Sequence, residues 1–175
     1  LGVDVVCMLS GFPAEGMSKI DTIRKVLPKA FRPIIEHARK KKVKIALENW
    51  FATCLQGVDT FECLFATIPD ENVGLNYDPS HLYHQECDHL LPVALFGNRI
   101  FHTHAKDTLV DKAKRAHVGI YAGGKIEIAE RVLAGQGKGA WPTCGTGLSG
   151  HTPRDASKAP TSLKKKLKNA TSLKA

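Results

Sequence analysis

The segment "VGLNYDPSHL", residues 73 to 82, decides the fold, because it begins as a strand and ends on polar groups. Its first six residues alternate between apolar side chains and small or polar ones, which is the period of a β-strand. The strand then meets Asp78 and Pro79, and His81 follows shortly after. We therefore predict an interior strand whose carboxyl end carries a carboxylate and, nearby, an imidazole.

Length and composition indicate an ordinary globular protein. The chain has 175 residues, of which 43% are hydrophobic and 24% charged, which suits one domain with its own core. No run approaches the roughly 18 apolar residues of a membrane span, and the first residues lack the basic start of a signal peptide. The five cysteines are scattered, without a C-x-x-C pair, which disfavours a disulfide framework or zinc ribbon. We expect a soluble, cytoplasmic protein that makes no membrane contact.

The net charge of +8 is concentrated at the carboxyl end. Residues 151–175 hold seven basic side chains against one acidic side chain, which leaves +2 for the other 150 residues. A tail rich in Lys, Ser, Thr, Ala and Pro is typical of a solvated, disordered end. Binding of nucleic acid is therefore disfavoured.

Strands alternate with helical segments through the first 110 residues, which predicts an α/β protein with a parallel sheet. Proline residues at 28 and 33 predict a kink or two short helices within the first helical segment. Beyond residue 135 the sequence predicts little regular structure. Strands are expected at 3–11, 43–49, 73–78 and 100–107, and helices at 21–42, 59–68, 89–99 and 126–133.

Three strands end on side chains that suit a metal. Strand parity places Glu48, Asp78 and His104 at equivalent ends of successive strands, separated by 30 and 26 residues. In α/β barrels the carboxyl ends of the strands carry the active site. Two carboxylates and an imidazole suit Mn²⁺, Mg²⁺, Co²⁺ or Zn²⁺. Each residue also has a separate structural interpretation, such as helix capping by Asp78.

The segments "ALEN", "VGLNYDPSHL" and "FHTHAKD", in this order and spacing, resemble the xylose isomerase-like TIM-barrel superfamily. This is the sugar phosphate isomerase/epimerase group, related to endonuclease IV-type AP endonucleases. The likeness covers residues 1–122. It implies a partial (β/α)8 TIM barrel with four to five βα units. By composition, an irregular segment at 123–150 and the basic disordered tail at 151–175 follow this region.

The resemblance also implies roles for individual residues. Glu48, Asp78 and His104 match metal ligands, and Glu48 would also be the catalytic acid/base in proton transfer through an enediolate. The substrate would be a small sugar or sugar phosphate, as expected of carbohydrate metabolism. His81 matches a residue that lies beside the substrate or, in some members, joins a metal. Three further residues match positions that line the barrel mouth and bind substrate or support the ligands: His102, Lys106 and Asp107. Asn49 and Trp50 would shape the pocket, and His84, His89 and His117 are expected to be surface histidines.

The sequence departs from the family pattern in two respects. No second glutamate is found where the last strand of the barrel supplies one, and Glu127 is a poor substitute only 23 residues after His104. A whole barrel also needs eight βα units and about 250 residues. Because the chain begins on Leu and ends on an unrelated basic sequence, we expect a truncated or frameshifted product. Exposed barrel edges would then favour association into homo-oligomers.

Three functional hypotheses follow. The first is a metal-dependent isomerase or epimerase, provided that the chain is active. The second is an inactive barrel remnant that binds a sugar or a partner, favoured by the missing glutamate. The third is an AP-endonuclease-like phosphodiesterase, disfavoured because the sequence contains no D-x-H pair; the D-x-D pair of true xylose isomerases is absent too.

Overall fold

The predicted alternation of strands and helices is present in the computed structural model, which describes residues 2–118 and 129–132. The predicted tail at 151–175 lies outside the described residues, as does most of the segment 123–150. A short 3-10 helix, Gly97–Arg99, precedes the fourth strand. The strands are β1 (Val5–Leu9), β2 (Lys44–Glu48), β3 (Val73–Tyr77), β4 (Ile100–Thr103), β5 (Asp107–Val110) and β6 (Ala129–Val132), and the helices are α1 (Lys19–Lys25), α2 (Leu27–Lys40), α3 (Val58–Thr67), α4 (Pro79–Tyr83), α5 (Leu91–Phe96) and α6 (Lys112–Val118).

The first four strands form one parallel sheet in the order β1-β2-β3-β4. Each crossover between neighbouring strands contains helix, as a parallel sheet requires. Glu48 lies opposite Asn76, and Asn76 lies opposite His102. The chain is therefore an α/β protein with part of a TIM barrel, which confirms the predicted fold class.

The core lies between this sheet and its helices. Ile45, Leu47, Leu75 and other apolar strand residues pack against α1, α2 and α3. Burying a side chain of this size stabilises the fold by about 1.5–3 kcal/mol. Ile35, near the middle of α2, is fully buried. Glu48 lies on the opposite face of the sheet, which points away from these helices.

The first helical segment divides into two helices, as its prolines predict. Ser18 caps α1 by accepting a hydrogen bond from the Asp21 backbone N–H at 3.0 Å. The break falls at Val26, and Pro28 occupies the first turn of α2, where no backbone N–H is needed. Pro33 is tolerated inside α2.

Two predicted helices differ from the structure. The predicted helix at 126–133 is wrong, since Ala129–Val132 forms β6, antiparallel to β5. The predicted helix at 89–99 is shorter and begins at Leu91, because the Asp88 Oδ1 accepts hydrogen bonds from the backbone N–H groups of residues 90 and 91. Short apolar runs do not distinguish helix from strand by period alone.

Strand β1 is an edge of the parallel sheet within the described part of the chain, since β2 is its neighbour on one side and no described strand pairs with the other. Val6 and Leu9 are 45% and 41% exposed. An exposed edge strand of this kind can pair with another copy of the chain. Association into homo-oligomers stays a prediction. In the described residues, no helix has the length and apolar character that crossing a membrane requires.

Candidate metal centre

The ends of β2, β3 and β4 bring Glu48, Asp78 and His104 together, as strand parity predicted. Nδ1 of His104 lies 3.2 Å from Oε1 of Glu48 and 3.5 Å from Oδ2 of Asp78. One ligand atom from each residue lies within 4.8 Å of the other two. Three side chains far apart in sequence thus share one small volume at the carboxyl edge of the sheet.

The side chain of Asn49 holds the ends of β2 and β3 together. Its Nδ2 donates to the Asp78 carbonyl at 2.8 Å, and its Oδ1 accepts from the Asp78 N–H at 2.7 Å. The Asn49 amide therefore continues the pairing of β2 with β3 one step beyond the strands. On the other side, the His104 N–H donates to the Tyr77 carbonyl at 3.0 Å. The sequence predicted Asn49 near the pocket but gave no sign of this role.

Asp78 is fully buried, and its two carboxylate oxygens have different partners. Oδ1 caps α4 by accepting from the N–H and hydroxyl of Ser80 at 3.0 and 2.6 Å. Oδ2 lies 2.5 Å from Lys106 Nζ and 3.5 Å from His81 Nε2. Burial alone raises the pKa of the Asp78 carboxyl. The His81 charge and the hydrogen bonds from Lys106 and Ser80 outweigh burial, so this pKa lies below its usual range.

The spacing of the three side chains fits a divalent cation. Ligand atoms about 2.1 Å from a metal lie about 3 Å from one another, close to the separations of His104 Nδ1 from both carboxylates. One nitrogen and two oxygens suit Zn²⁺, Co²⁺ and Mn²⁺. Glu48 is partly exposed, with 23% of its side chain accessible, so the cluster is open to solvent on this side.

Asn76, in β3, lies between the two histidines of β4. Its Oδ1 accepts a hydrogen bond from His102 Nδ1 at 2.8 Å, and its Nδ2 donates to His104 Nε2 at 3.1 Å. This arrangement places the proton of a neutral His104 on Nδ1, facing Glu48. Metal ligation through Nδ1 requires that this proton leave and that Nε2 carry one instead. Asn76 thus contacts both imidazole rings through its two amide atoms, a position that the sequence did not reveal.

Two of the four other predicted site residues contact this cluster directly. His81, in α4, is buried, and its Nε2 lies 3.8 Å from Glu48 Oε1 and 3.1 Å from Lys106 Nζ. His102 is exposed on β4. Asp107 begins β5, and its side chain lies outside the described residues. The structure therefore brings His81 and Lys106 to the cluster, while His102 reaches it through Asn76.

His84 is buried, which overturns the prediction of a surface histidine. Its ring meets those of Phe51 and His81 edge to face, at centroid distances of 6.3 and 5.6 Å. The row of rings continues through Trp50 to Phe12 at the mouth. His84 follows a five-residue helix that the sequence did not predict, and this helix turns it inward. His117 is exposed, as expected.

Replacing His84 by Gln is expected to reduce the loss of stability at low pH. Burial, and then the charge of Lys106, lower the pKa of His84 to about 4, whereas an unfolded histidine titrates near 6.5. Between these values the unfolded chain binds the extra proton, so stability falls as pH decreases from about 6.5 to about 4. This residue contributes at most about 3 kcal/mol to that fall.

Urea unfolding of metal-free protein between pH 7.5 and 4.5 measures the effect. The exposed His117→Gln variant serves as the matched control and should retain the pH slope of the original chain. An unchanged slope in His84→Gln would contradict the assignment.

The sequence matches a family model and parts of known proteins. The model of a family described as xylose isomerase-like TIM barrel matches residues 1–146. The uncharacterised protein YfiH of Bacillus subtilis is 30% identical over 142 residues, which is 69% of this chain and 45% of YfiH. Resuscitation-promoting factor RpfA of Mycobacterium tuberculosis is 64% identical over 31 residues, which is 18% of this chain and 8% of RpfA. The chain thus spans less than half the length of these curated relatives.

Solved structures also share the fold. The probable 3-DHS dehydratase AsbF of Bacillus anthracis superimposes with a TM-score of 0.64 at 16% identity, over 84% of this chain and 54% of AsbF. The IOLI protein with a binding zinc atom gives a TM-score of 0.61 at 22% identity, over 85% of this chain and 50% of IOLI. This chain therefore corresponds to about half of each larger structure.

Proposed function

The chain belongs to the xylose isomerase-like TIM-barrel family, and on this premise we propose that it is a metal-dependent isomerase or epimerase of a small sugar or sugar phosphate. One observation carries the proposal: ligand atoms of Glu48, Asp78 and His104 lie within 4.8 Å of one another at the ends of three successive parallel strands. The zinc atom of the similarly folded IOLI protein supports a metal in this kind of barrel.

Glu48, Asp78 and His104 would hold the cation. A divalent cation bound there would supply Lewis acidity, which stabilises the negative charge on a substrate oxygen when the neighbouring carbon loses a proton. Asp78 suits a permanent ligand because it is fully buried and its pKa lies below the usual range. Mn²⁺, Mg²⁺, Co²⁺ and Zn²⁺ remain the candidate ions, with the imidazole favouring the transition metals.

Glu48 would accept the substrate proton. Its carboxylate is partly exposed at the mouth, whereas Asp78 is buried behind it, so the substrate meets Glu48 first. His81 and Lys106 lie beside the same carboxylates and would orient the substrate's hydroxyl or phosphate oxygens. General acid/base catalysis of this kind contributes about 10²–10⁴-fold to the rate.

Glu48 would take a proton from one substrate carbon and return it to the adjacent carbon on the same face, while a proton moves between the two neighbouring substrate oxygens, which interconverts an aldose and a ketose. Epimerisation would need a second acid on the opposite face. Among the described residues, no second glutamate joins the cluster. Glu127, the weak candidate for the second acid, lies outside the described residues.

A second candidate function is that of a barrel that binds a sugar or a partner without turnover. It is favoured because no second glutamate joins the cluster among the described residues. Such a protein would retain the metal and show no activity.

Metal analysis of the purified full chain, loaded in turn with Mn²⁺, Co²⁺ and Zn²⁺, tests the proposal. We expect stoichiometric metal that is lost in the Glu48→Gln/His104→Ala variant, followed by activity on a panel of aldoses, ketoses and their phosphates. A chain that binds no metal would refute the enzymatic function, and a metal-loaded but inactive chain would support the binding role.

A further inference from the structure

Lys106 lies on the loop between β4 and β5 and reaches into the cluster. Its Nζ is 2.5 Å from Asp78 Oδ2 and 3.1 Å from His81 Nε2, and a quarter of its side chain is exposed. A charged contact of this length is a strong one, because an ammonium and a buried carboxylate attract at low local dielectric. Lys106 is thus the counter-ion of Asp78.

The oxygen that Lys106 contacts is the one that a metal would need. Oδ1 of Asp78 is occupied by the N–H and hydroxyl of Ser80, and Oδ2 is the oxygen that faces His104 Nδ1 at 3.5 Å. An ammonium and a divalent cation on one oxygen would lie only a few ångströms apart and repel each other strongly. The two cations therefore exclude each other at Asp78 Oδ2.

We propose that Lys106 is an internal counter-ion that competes with the divalent cation for Asp78 Oδ2 and moves to the barrel mouth when the cation binds. This inference rests on the proposed metal site and adds its regulation. On leaving Asp78, the ammonium would lie at the mouth, where it is available to an oxygen of the substrate. Binding of the cation would thereby place the Lys106 ammonium where the substrate binds.

The coupling has a measurable sign. Lys106 lowers the affinity for metal, so its removal raises that affinity by on the order of tenfold or more, the usual scale of coupled binding events. Without metal, the same removal leaves the buried carboxylate of Asp78 without its counter-ion and lowers the melting temperature. The rise in melting temperature on adding metal should therefore be larger in Lys106→Met than in the original chain.

Calorimetric titration of the full chain with Mn²⁺ or Zn²⁺, together with thermal melts, tests the proposal without an activity assay. Lys106→Met removes the charge, and Lys106→Gln removes it while keeping a hydrogen-bond donor, in case the first variant does not fold. Lys106→Arg keeps the charge and should keep the original affinity. Lys112→Met, at an exposed lysine in α6, is the matched control and should change nothing.

The outcomes separate the two proposals. Tighter metal binding by Lys106→Met or Lys106→Gln supports competition. Equal or weaker binding by both, in a chain that itself binds metal, overturns the role of Lys106 and leaves the proposed function intact. Failure of the original chain and of both variants to bind metal overturns the metal site itself, and the competition with it.

Discussion

Asp78→Asn is expected to reduce divalent metal affinity by at least about 100-fold, more than the loss typical of residues that only support a ligand. The amide nitrogen cannot ligate a cation as the carboxylate does, and it would point a donor at Lys106. The variant should also lose about 2 kcal/mol of stability without metal, because the Lys106 ammonium loses its partner. Metal titration and urea unfolding of the same preparation measure both effects.

Two comparisons isolate the cause. Asp4→Asn makes the same chemical change at an exposed position before β1 and should leave both quantities unchanged. Glu48→Gln should weaken metal binding with less effect on stability, because Glu48 is partly exposed whereas Asp78 is buried. Original metal affinity in Asp78→Asn would show that Asp78 is not a ligand.

Gly74→Ala is expected to destabilise the protein by about 3 kcal/mol or more, at or beyond the upper end of ordinary overpacking. A Cβ at residue 74 would lie 2.2 Å from the Arg99 carbonyl oxygen and 2.5 Å from the Phe101 ring. The carbonyl belongs to the backbone leading into β4, so relief requires that β3 and β4 move apart. Because β4 leads to His104, the same shift should weaken metal binding.

Gly97→Ala supplies the matched control for that prediction. A Cβ at residue 97 meets nothing within 4 Å, and the backbone is helical, with φ −53°. The change should be neutral or stabilise the fold by up to about 1 kcal/mol. Urea unfolding of both variants is the measurement. A Gly74→Ala variant within 0.5 kcal/mol of the original chain would contradict the close approach of β3 to the β4 region.

Much of the fold was predictable because parallel strands obey a period of two and end at one edge. That rule alone brought Glu48, Asp78 and His104 to the same place, and the structure places them there. The break of the first helical segment followed equally from Pro28, whose ring suits a first turn. These predictions succeeded because each depends on local chemistry and strand parity.

The features that the sequence did not predict depend on contacts between residues far apart in the chain. Asn49 and Asn76 are common polar residues whose bonds to Asp78, His102 and His104 exist only when neighbouring strands are in register. His84 became buried because α4 turns it toward Phe51. No single-sequence signal distinguishes these residues from solvated ones, since their partners are more than 20 positions away in sequence.

The register of the parallel pairs has a consequence for how this chain tolerates insertions and deletions. Glu48 lies opposite Asn76, and Asn76 lies opposite His102, so strand alignment sets the positions of the ligand-bearing strand ends. The first residues after the strands, such as Asn49 and Ser80, then hold Asp78 in place. Parts of the helices and loops that lie away from this edge can therefore gain or lose residues over evolution with little effect on the cluster. One extra residue within β2, by contrast, would turn Glu48 toward the helices and dismantle the site in a single step.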